Sequence, residues 1–537
     1  MAYFVNYDYE KEYLCCLNIE SKHCTRLMYL IIKLYSASVV EKYLLEHPEE
    51  INLRNEKDWT ALMMASIFAN ICDNTQIVGI LLANGADVNT QNNEKSHALG
   101  MAARNAGSYS NVETVRLLLE HGADINIQNE DGWTALMSAV SDTATISNIK
   151  AVQLLLDKGA DLNVQEKDGH TALMLASRYA ATESNIETVQ LLLEKCVDLN
   201  VQNNDGWTVL MIAAHNAATE SSIETVRLLL EKGADVNARE NNQWSSLMLA
   251  ISCAGTRSNI ETVQLLLTYG ADIDAQDNQG WSSLMKSVSS SKSESNMETV
   301  QLLLKKGANV NLCNNDGLTA LMIAVGFINM TSSIETIQLL LEFGADVNVQ
   351  TKNEKTALTG ALKNNSLETV RLLLRHGANP NVKMENGIMP LNYFIQNEPD
   401  HIDIIHLLLQ AQNGAQMDLK DIDFSLVKSE IVTLLLNYGL NPDQIKYGNG
   451  TLREYVNRDM IKYYHIINMP TRSDFSKIFP ELLSKIQEVL YRPGSLRFRL
   501  LEHQWNMDQC FDLEIYLGSY DTDSFHLKVK DQIAHMF

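Results

Sequence analysis

The sequence predicts an all-α solenoid of helix–turn–helix units stacked in register and joined by extended β-turn fingers. A block reading Asp-Gly-Trp-Thr-Ala-Leu-Met at 131–137 recurs with substitutions every 37 residues. The place of its Trp falls at Trp59, Ser96, Trp133, His170, Trp207, Trp244, Trp281, Leu318 and Lys355, and then, after a step of 33, at Ile388. Most blocks are also followed by a Leu-Leu-Leu run and a Gly-Ala-Asp type run, as at 228–230 and 233–235. Self-similarity of this length marks units that bury their apolar faces only against their neighbours.

Residues 168–205 illustrate one unit. Asp168-Gly169 closes a turn, because Gly accepts the positive φ that such turns require. Thr171 follows as N-cap, and Ala172, Leu173, Met174 and Ala176 start a first helix. Ser184-Asn-Ile-Glu187 reads as a capping box opening a second helix. Ile186, Val189, Leu192 and Leu193 then recur at helical spacing, with Leu191 widening the apolar face. Sister units end this helix with a Gly (Gly122, Gly159, Gly233, Gly270, Gly307, Gly344), suited to a left-handed C′ position, where this unit has Cys196. Asp198 to Gln202 runs extended into the next turn.

Turn, helix, helix and finger together resemble an ankyrin repeat, whose pattern is Asp-Gly-x-Thr-Pro-Leu-His, Leu-Leu-Leu, then Gly-Ala-Asp-Val-Asn. The last run stands unaltered at 85–89, 233–237 and 344–348, and the resemblance covers roughly residues 36 to 445. It implies an ankyrin-repeat solenoid. Two features depart from the family. Pro and His of the first run are Ala or Ser and Met, as at 134–137, and Met fills the vacated space as adaptable apolar packing. The period is 37 rather than 33; Thr171 to Leu191 is 20 steps where Thr356 to Leu372 is 16. The four extra residues lie between the two helices, and the reading preferred for them is a partial turn added to the first helix, then a loop.

The ends are less regular. Residues 1–55 comprise an N-terminal segment and a divergent capping unit, with helices over Arg26–Tyr35 and Val39–Leu45; 56–387 form the regular array. Residues 388–469 carry degenerate units, in which Leu407–Leu409 and Leu434–Leu436 keep the second-helix signature. Residues 470–537 form a small non-repeat C-terminal extension with an amphipathic helix at 479–490 and alternating, strand-like stretches beyond.

Composition narrows the function. A net charge of −23 argues against a nucleic-acid partner and against an anionic membrane surface. The eight cysteines recur at no fixed place and form no Cys-x-x-Cys pair, which suits reduced thiols in a cytosolic or nuclear compartment; the cytoplasm is the expectation. Cys15, Cys16, His23 and Cys24 match no standard zinc spacing, so no metal is expected. The first ten residues do not read as a signal peptide, and no apolar run approaches a spanning length. Phosphate loops, zinc-binding His-Glu-x-x-His and nucleophile elbows are absent from the sequence, so neither a cofactor nor catalysis is expected.

What remains is protein binding. Five of the six Trp share one repeat position; Trp133, Trp207, Trp244 and Trp281, with His170 in the same row, are candidate contacts. By the resemblance this position tends to face the concave side, where partners dock, and Trp is enriched in binding hot spots. The competing reading is that each ring packs against the adjacent finger and helix, and a Trp held at one phase in five copies favours it. Glu130, Lys167, Asn204, Glu240 and Asp277, read as finger-tip residues, are the remaining candidates; their acidic, amide-rich surroundings suit a protein partner with a basic surface. The resemblance also implies Asn89, Asn237 and Asn348 as asparagines of the type that is hydroxylated, although a hydrogen bond steadying the finger is the favoured role. Phe479-Pro-Glu-Leu-Leu to Leu490 resembles the opening helix of F-box-like segments. That implies an alternative function, a substrate adaptor contacting a ubiquitin-ligase core through 479–490. The whole chain is similar in style to ankyrin proteins of giant DNA viruses of amoebae, which would place it in host-cell cytoplasm.

Overall fold

In the computed structural model the described residues are 24–33, 35–67, 74–104, 109–141, 146–178, 183–195, 197–217, 220–252, 257–289, 294–326, 333–384 and 387–412, with isolated positions between 422 and 451. The Cys15, Cys16 and His23 group, most residues of the inserted segments, the 479–490 helix and the rest of the C-terminal extension lie outside them. The chain forms two compact units, Met1–Asn315 and Asp316–Phe537.

In the first unit helices alternate in pairs, as in Ala172–Arg178 with Glu183–Leu193, and Val209–His215 with Glu220–Glu231. The two helices expected near the N-terminus are present, over Arg26–Ile32 and Ala37–Glu46. Thr25 caps the first of these by accepting from the Met28 N–H. The second unit repeats the pairing with Ala320–Gly326 and Ser333–Glu342, Ala357–Lys363 and Leu367–Arg375, Pro390–Asn397 and Ile402–Gln412. A two-residue hairpin joins Lys446–Tyr447 to Gly450–Thr451.

The first helices are nearly all core: every residue from Val209 to Ala214 is buried, as is every residue from Ala61 to Ile67. Seven residues make barely two turns, too few for stability in isolation, so packing between neighbouring first helices holds them. Their N-termini are capped as the sequence predicts, with Thr171 Oγ1 accepting from Met174 N at 3.3 Å and Thr208 Oγ1 from Met211 N at 3.4 Å. The second helices bury one stripe, Val189, Leu192 and Leu193 in one copy and Val226, Leu229 and Leu230 in the next.

The extra residues of the long period do not lengthen the first helix. Val209–His215 ends at Asn216, and the first helix of the short unit, Ala357–Lys363, ends at the equivalent Asn364. Instead the second helix starts earlier: Glu220–Glu231 opens three residues ahead of Ile223, whereas Leu367–Arg375 opens at the matching Leu367. The Glu183–Leu193 helix likewise begins before Ser184, so the expected capping box lies within the helix instead of opening it. An added turn there needs no change in the crowded first-helix layer, which has no room for it.

Candidate functional site

The fingers are built from polar side chains that link each unit to the next. Asn89 donates through Nδ2 to Gly122 O (3.1 Å) and accepts through Oδ1 from Asp124 N (2.8 Å). Asn237 does the same with Gly270 and Asp272. Asn348 does so with Gly377 and Asn379. The structural role favoured for these asparagines is thus in place. A second ladder runs through Gln128, Gln165 and Gln202, each Nε2 reaching a carbonyl of its own turn and one 37 residues on. Arg239 takes the same place, its Nη1 donating to Gln243 O and Gln276 O.

Four residues before each Trp position stands the side chain that closes the turn. Asn203 Oδ1 accepts from Asp205 N (3.1 Å) and Trp207 N (2.7 Å). Glu240 Oε1 accepts from Asn242 N (2.9 Å) and Trp244 N (3.0 Å), and Asp277 Oδ1 from Gln279 N (2.9 Å) and Trp281 N (2.8 Å). Glu240 and Asp277 are therefore buried turn-closing residues rather than finger tips. Glu130, Lys167 and Asn204 stand one place later and are exposed. Of these, Asn204 is committed to its neighbour, donating through Nδ2 to Lys167 O at 2.8 Å, and Lys167 Nζ lies 3.7 Å from Asp131 Oδ1.

Trp133, Trp207, Trp244 and Trp281 are half-buried, and the first-helix residue five places after the Trp position is the buried Leu175, Ile212 or Leu249 in three units and the half-buried Ser138 in another. The edge of His215 meets Trp207 at 5.3 Å between centroids, and burial pushes the His215 imidazole below its usual range. In the next unit but one the row is interrupted by Lys286, which is only 8% exposed. Its Nζ sits 3.5 Å from the centroid of the Trp244 ring and 6.0 Å from that of Trp281, and donates to Asp277 Oδ2 at 2.7 Å. Burial pulls the ammonium below its ordinary range; Asp277, by hydrogen bond and charge, and Glu240, by charge, offset part of that. The sequence reading missed Lys286. The signal was the column it stands in, which is Met64, Met101, Ser138, Leu175, Ile212 and Leu249 in preceding units, apolar in five of the six.

His170 takes the Trp place with a different network. Its Nδ1 lies 2.7 Å from Glu166 Oε1, and Asn203 Nδ2 lies 3.2 Å from its Nε2. The amide is a donor, so Nε2 accepts and Nδ1 carries the proton toward Glu166. Burial raises the Glu166 carboxyl, but hydrogen bonds from the His170 ring and from the Asp168 and His170 N–H groups outweigh it and hold the group below its ordinary range. Glu166, Asp168 and His170 bring ligand atoms within 4.8 Å of one another. Both imidazole nitrogens are already engaged, which leaves no lone pair directed at a metal.

Among the described residues no helix is long and apolar enough to cross a membrane. A family model of ankyrin repeats in three copies matches residues 67–166, 143–240, 178–277, 247–351 and 328–421. Three ankyrin repeat proteins of Acanthamoeba polyphaga mimivirus are similar in part. L91 is 39% identical over 89 residues, covering 15% of this chain and 14% of its own length. L86 is 39% identical over 85 residues (15% of each chain), and L289 is 35% identical over 88 (15% and 16%). The chain thus matches only a small fraction of these curated relatives. With paired helices, asparagine-linked fingers and a family model that spans most of its length, this chain belongs to the ankyrin-repeat family.

Proposed function

We propose that this protein is a non-enzymatic scaffold that binds a protein partner along the face carrying the Trp row. Ankyrin repeats as a family mediate protein–protein interaction, and the finer assignment rests on one observation. Where the first helices are almost wholly buried, Trp133, Trp207, Trp244 and Trp281 remain partly exposed in file beyond the buried Trp59, with exposed Glu130 and Lys167 near them in sequence. Half-exposed indoles on a rigid base combine apolar area with little conformational entropy left to lose, the usual make-up of an interface anchor. The charge of −23 favours a partner with a basic surface over a nucleic acid, and the scattered cysteines suit action in the cytoplasm.

A photo-crosslinking residue placed at Trp133, Trp207 or Trp281 in turn, with Glu187 and Glu261 on second helices as controls, tests this. Adducts to one partner from the Trp positions alone are expected; adducts from the second-helix positions alone would sink the assignment. Trp207→Ala separates anchoring from packing. It is expected to cost about 2 kcal/mol of stability, less than full burial would imply, because the ring is half-exposed. Lost capture at unchanged melting temperature would instead make the row purely a contact surface.

A further inference from the structure

We propose that the junction of Trp207 and Glu240 is a slot for a guanidinium group, an arginine of the protein partner. The proposal rests on the scaffold reading above and deepens it. In two neighbouring pairs of units the turn-closing side chain reaches back to the residue in the Trp place of the preceding unit. Asn203 Nδ2 lies 3.2 Å from the His170 ring, and Asp277 Oδ2 meets Trp244 through the ammonium of Lys286, which lies on the ring face. By that rule Glu240 is the group of its unit that would face Trp207.

Three of the turn-closing residues are buried acids: Asp277 has the Lys286 cation in contact, and Glu166 a hydrogen bond from the neutral His170 ring. Glu240, only 5% exposed, receives hydrogen bonds from Asn242 N, Trp244 N and Asn242 Nδ2, but no cationic group touches it among the described residues. Leu249 stands in its unit where Lys286 stands in the next. Glu240, Asp277 and Lys286 together leave one negative charge uncompensated in partly dry surroundings beside two indoles. A buried carboxylate without a counter-ion is costly, so a cation arriving there recovers attraction that water does not supply. Lys286 on Trp244 is the molecule's own demonstration that this site type holds a cation. An incoming side chain reaches the slot over the half-exposed Trp207 face, and guanidinium is weakly hydrated and stacks on indole.

The test follows the indole N–H signals of the full chain labelled with 15N-tryptophan, titrated with N-acetylarginine amide and with its neutral counterpart N-acetylcitrulline amide. The Trp207 signal, assigned with Trp207→Phe, is expected to shift saturably with the arginine compound alone. Glu240→Gln keeps an oxygen for the turn, as Asn203 does, and is expected to weaken the binding about tenfold. Leu249→Lys fills the slot from within and abolishes the shift, a result that does not depend on how Glu240→Gln folds. Equal response to citrulline, or arginine affinity unchanged in both variants, overturns the slot. The scaffold reading would survive that result, since crosslinking from the Trp row tests it separately.

Discussion

The unit that opens at Thr208 and the unit that opens at His97 share one plan and keep it by different means. In the first, Thr208 caps its helix, Met211 fills the core and Gly206 takes the left-handed turn at φ +83°. In the second, Lys95 sits at the left-handed place (φ 56°), Ser96 replaces the Trp and His97 replaces the capping Thr. The His97 imidazole is 2% exposed and neither ring nitrogen has a partner among the described residues. Gly100 stands where other copies have Met, and a Cβ there would lie 3.2 Å from His97 Cε1. The ring has moved into the volume that Met filled. A unit enclosed by neighbours tolerates loss of a cap and a strained turn if its core stays full.

The largest test of this contrast is acid. Burial pulls His97 down to about 4, and only the nearby Asp124 charge opposes that. The folded state thus holds the neutral ring while the unfolded chain, titrating near 6.5, binds the proton first. Stability is complete above the unfolded value and is lost as pH falls from about 6.5 toward 4, by about 3 kcal/mol at the lower limit. Hydrogen exchange of Ala98–Arg104 should accelerate over that window, while Ser246–Ser252, a first helix without histidine, stays protected. The double change His97→Thr with Gly100→Met should erase the difference, and if it does not, the buried ring is not its cause.

A smaller effect separates the two turns. Gly206→Ala is expected to cost about 2 kcal/mol, from the left-handed backbone and a Cβ 2.8 Å from Asn241 N. Lys95→Gly should gain about 1 kcal/mol by relieving the strain that copy already carries. Opposite shifts of melting temperature are required; shifts of the same sign would mean that the turns are not equivalent. Smallest is Gln202→Ala, which removes two donations at 2.9 Å and should cost about 1 kcal/mol, read from denaturant midpoints. No change there would reduce the glutamine ladder to surface decoration.

Much of this was legible in the sequence. Period, capping Thr and the Leu-Leu-Leu stripe each reflect a local rule repeated many times, and repetition makes a weak preference readable. The direction in which the four extra residues extend was not legible. Alanine and polar residues suit either helix, and the full burial of residues such as Val209 to Ala214, which bars growth on the first helix, is a property of the stack. Among the candidate contacts, the Trp row and Lys167 were placed on accessible ground. Glu240 and Asp277 were not, because the finger composition conceals a one-residue difference of phase between the tip and the residue that closes the turn. Lys286 bonds Asp277 within its own unit, but its seat on the Trp244 ring belongs to the neighbouring unit, and no single-unit template contains that contact.

The asparagine ladder carries a consequence for how such a chain grows and shrinks. Its rungs join partners 33 positions apart where Asn89 meets Gly122 and 29 apart where Asn348 meets Gly377, yet the two distances agree to 0.1 Å. Four residues have been dropped between the helices without disturbing the finger edge. Gene duplication or deletion of a whole unit would likewise regenerate every donor and acceptor, whereas a cut elsewhere would strand them. Each tie also spans a single unit, so loop closure stays cheap however many units follow and contact order falls as the array lengthens. Additional length thus need not slow the formation of any one rung, and unravelling would start at the ends, where a unit has one neighbour instead of two.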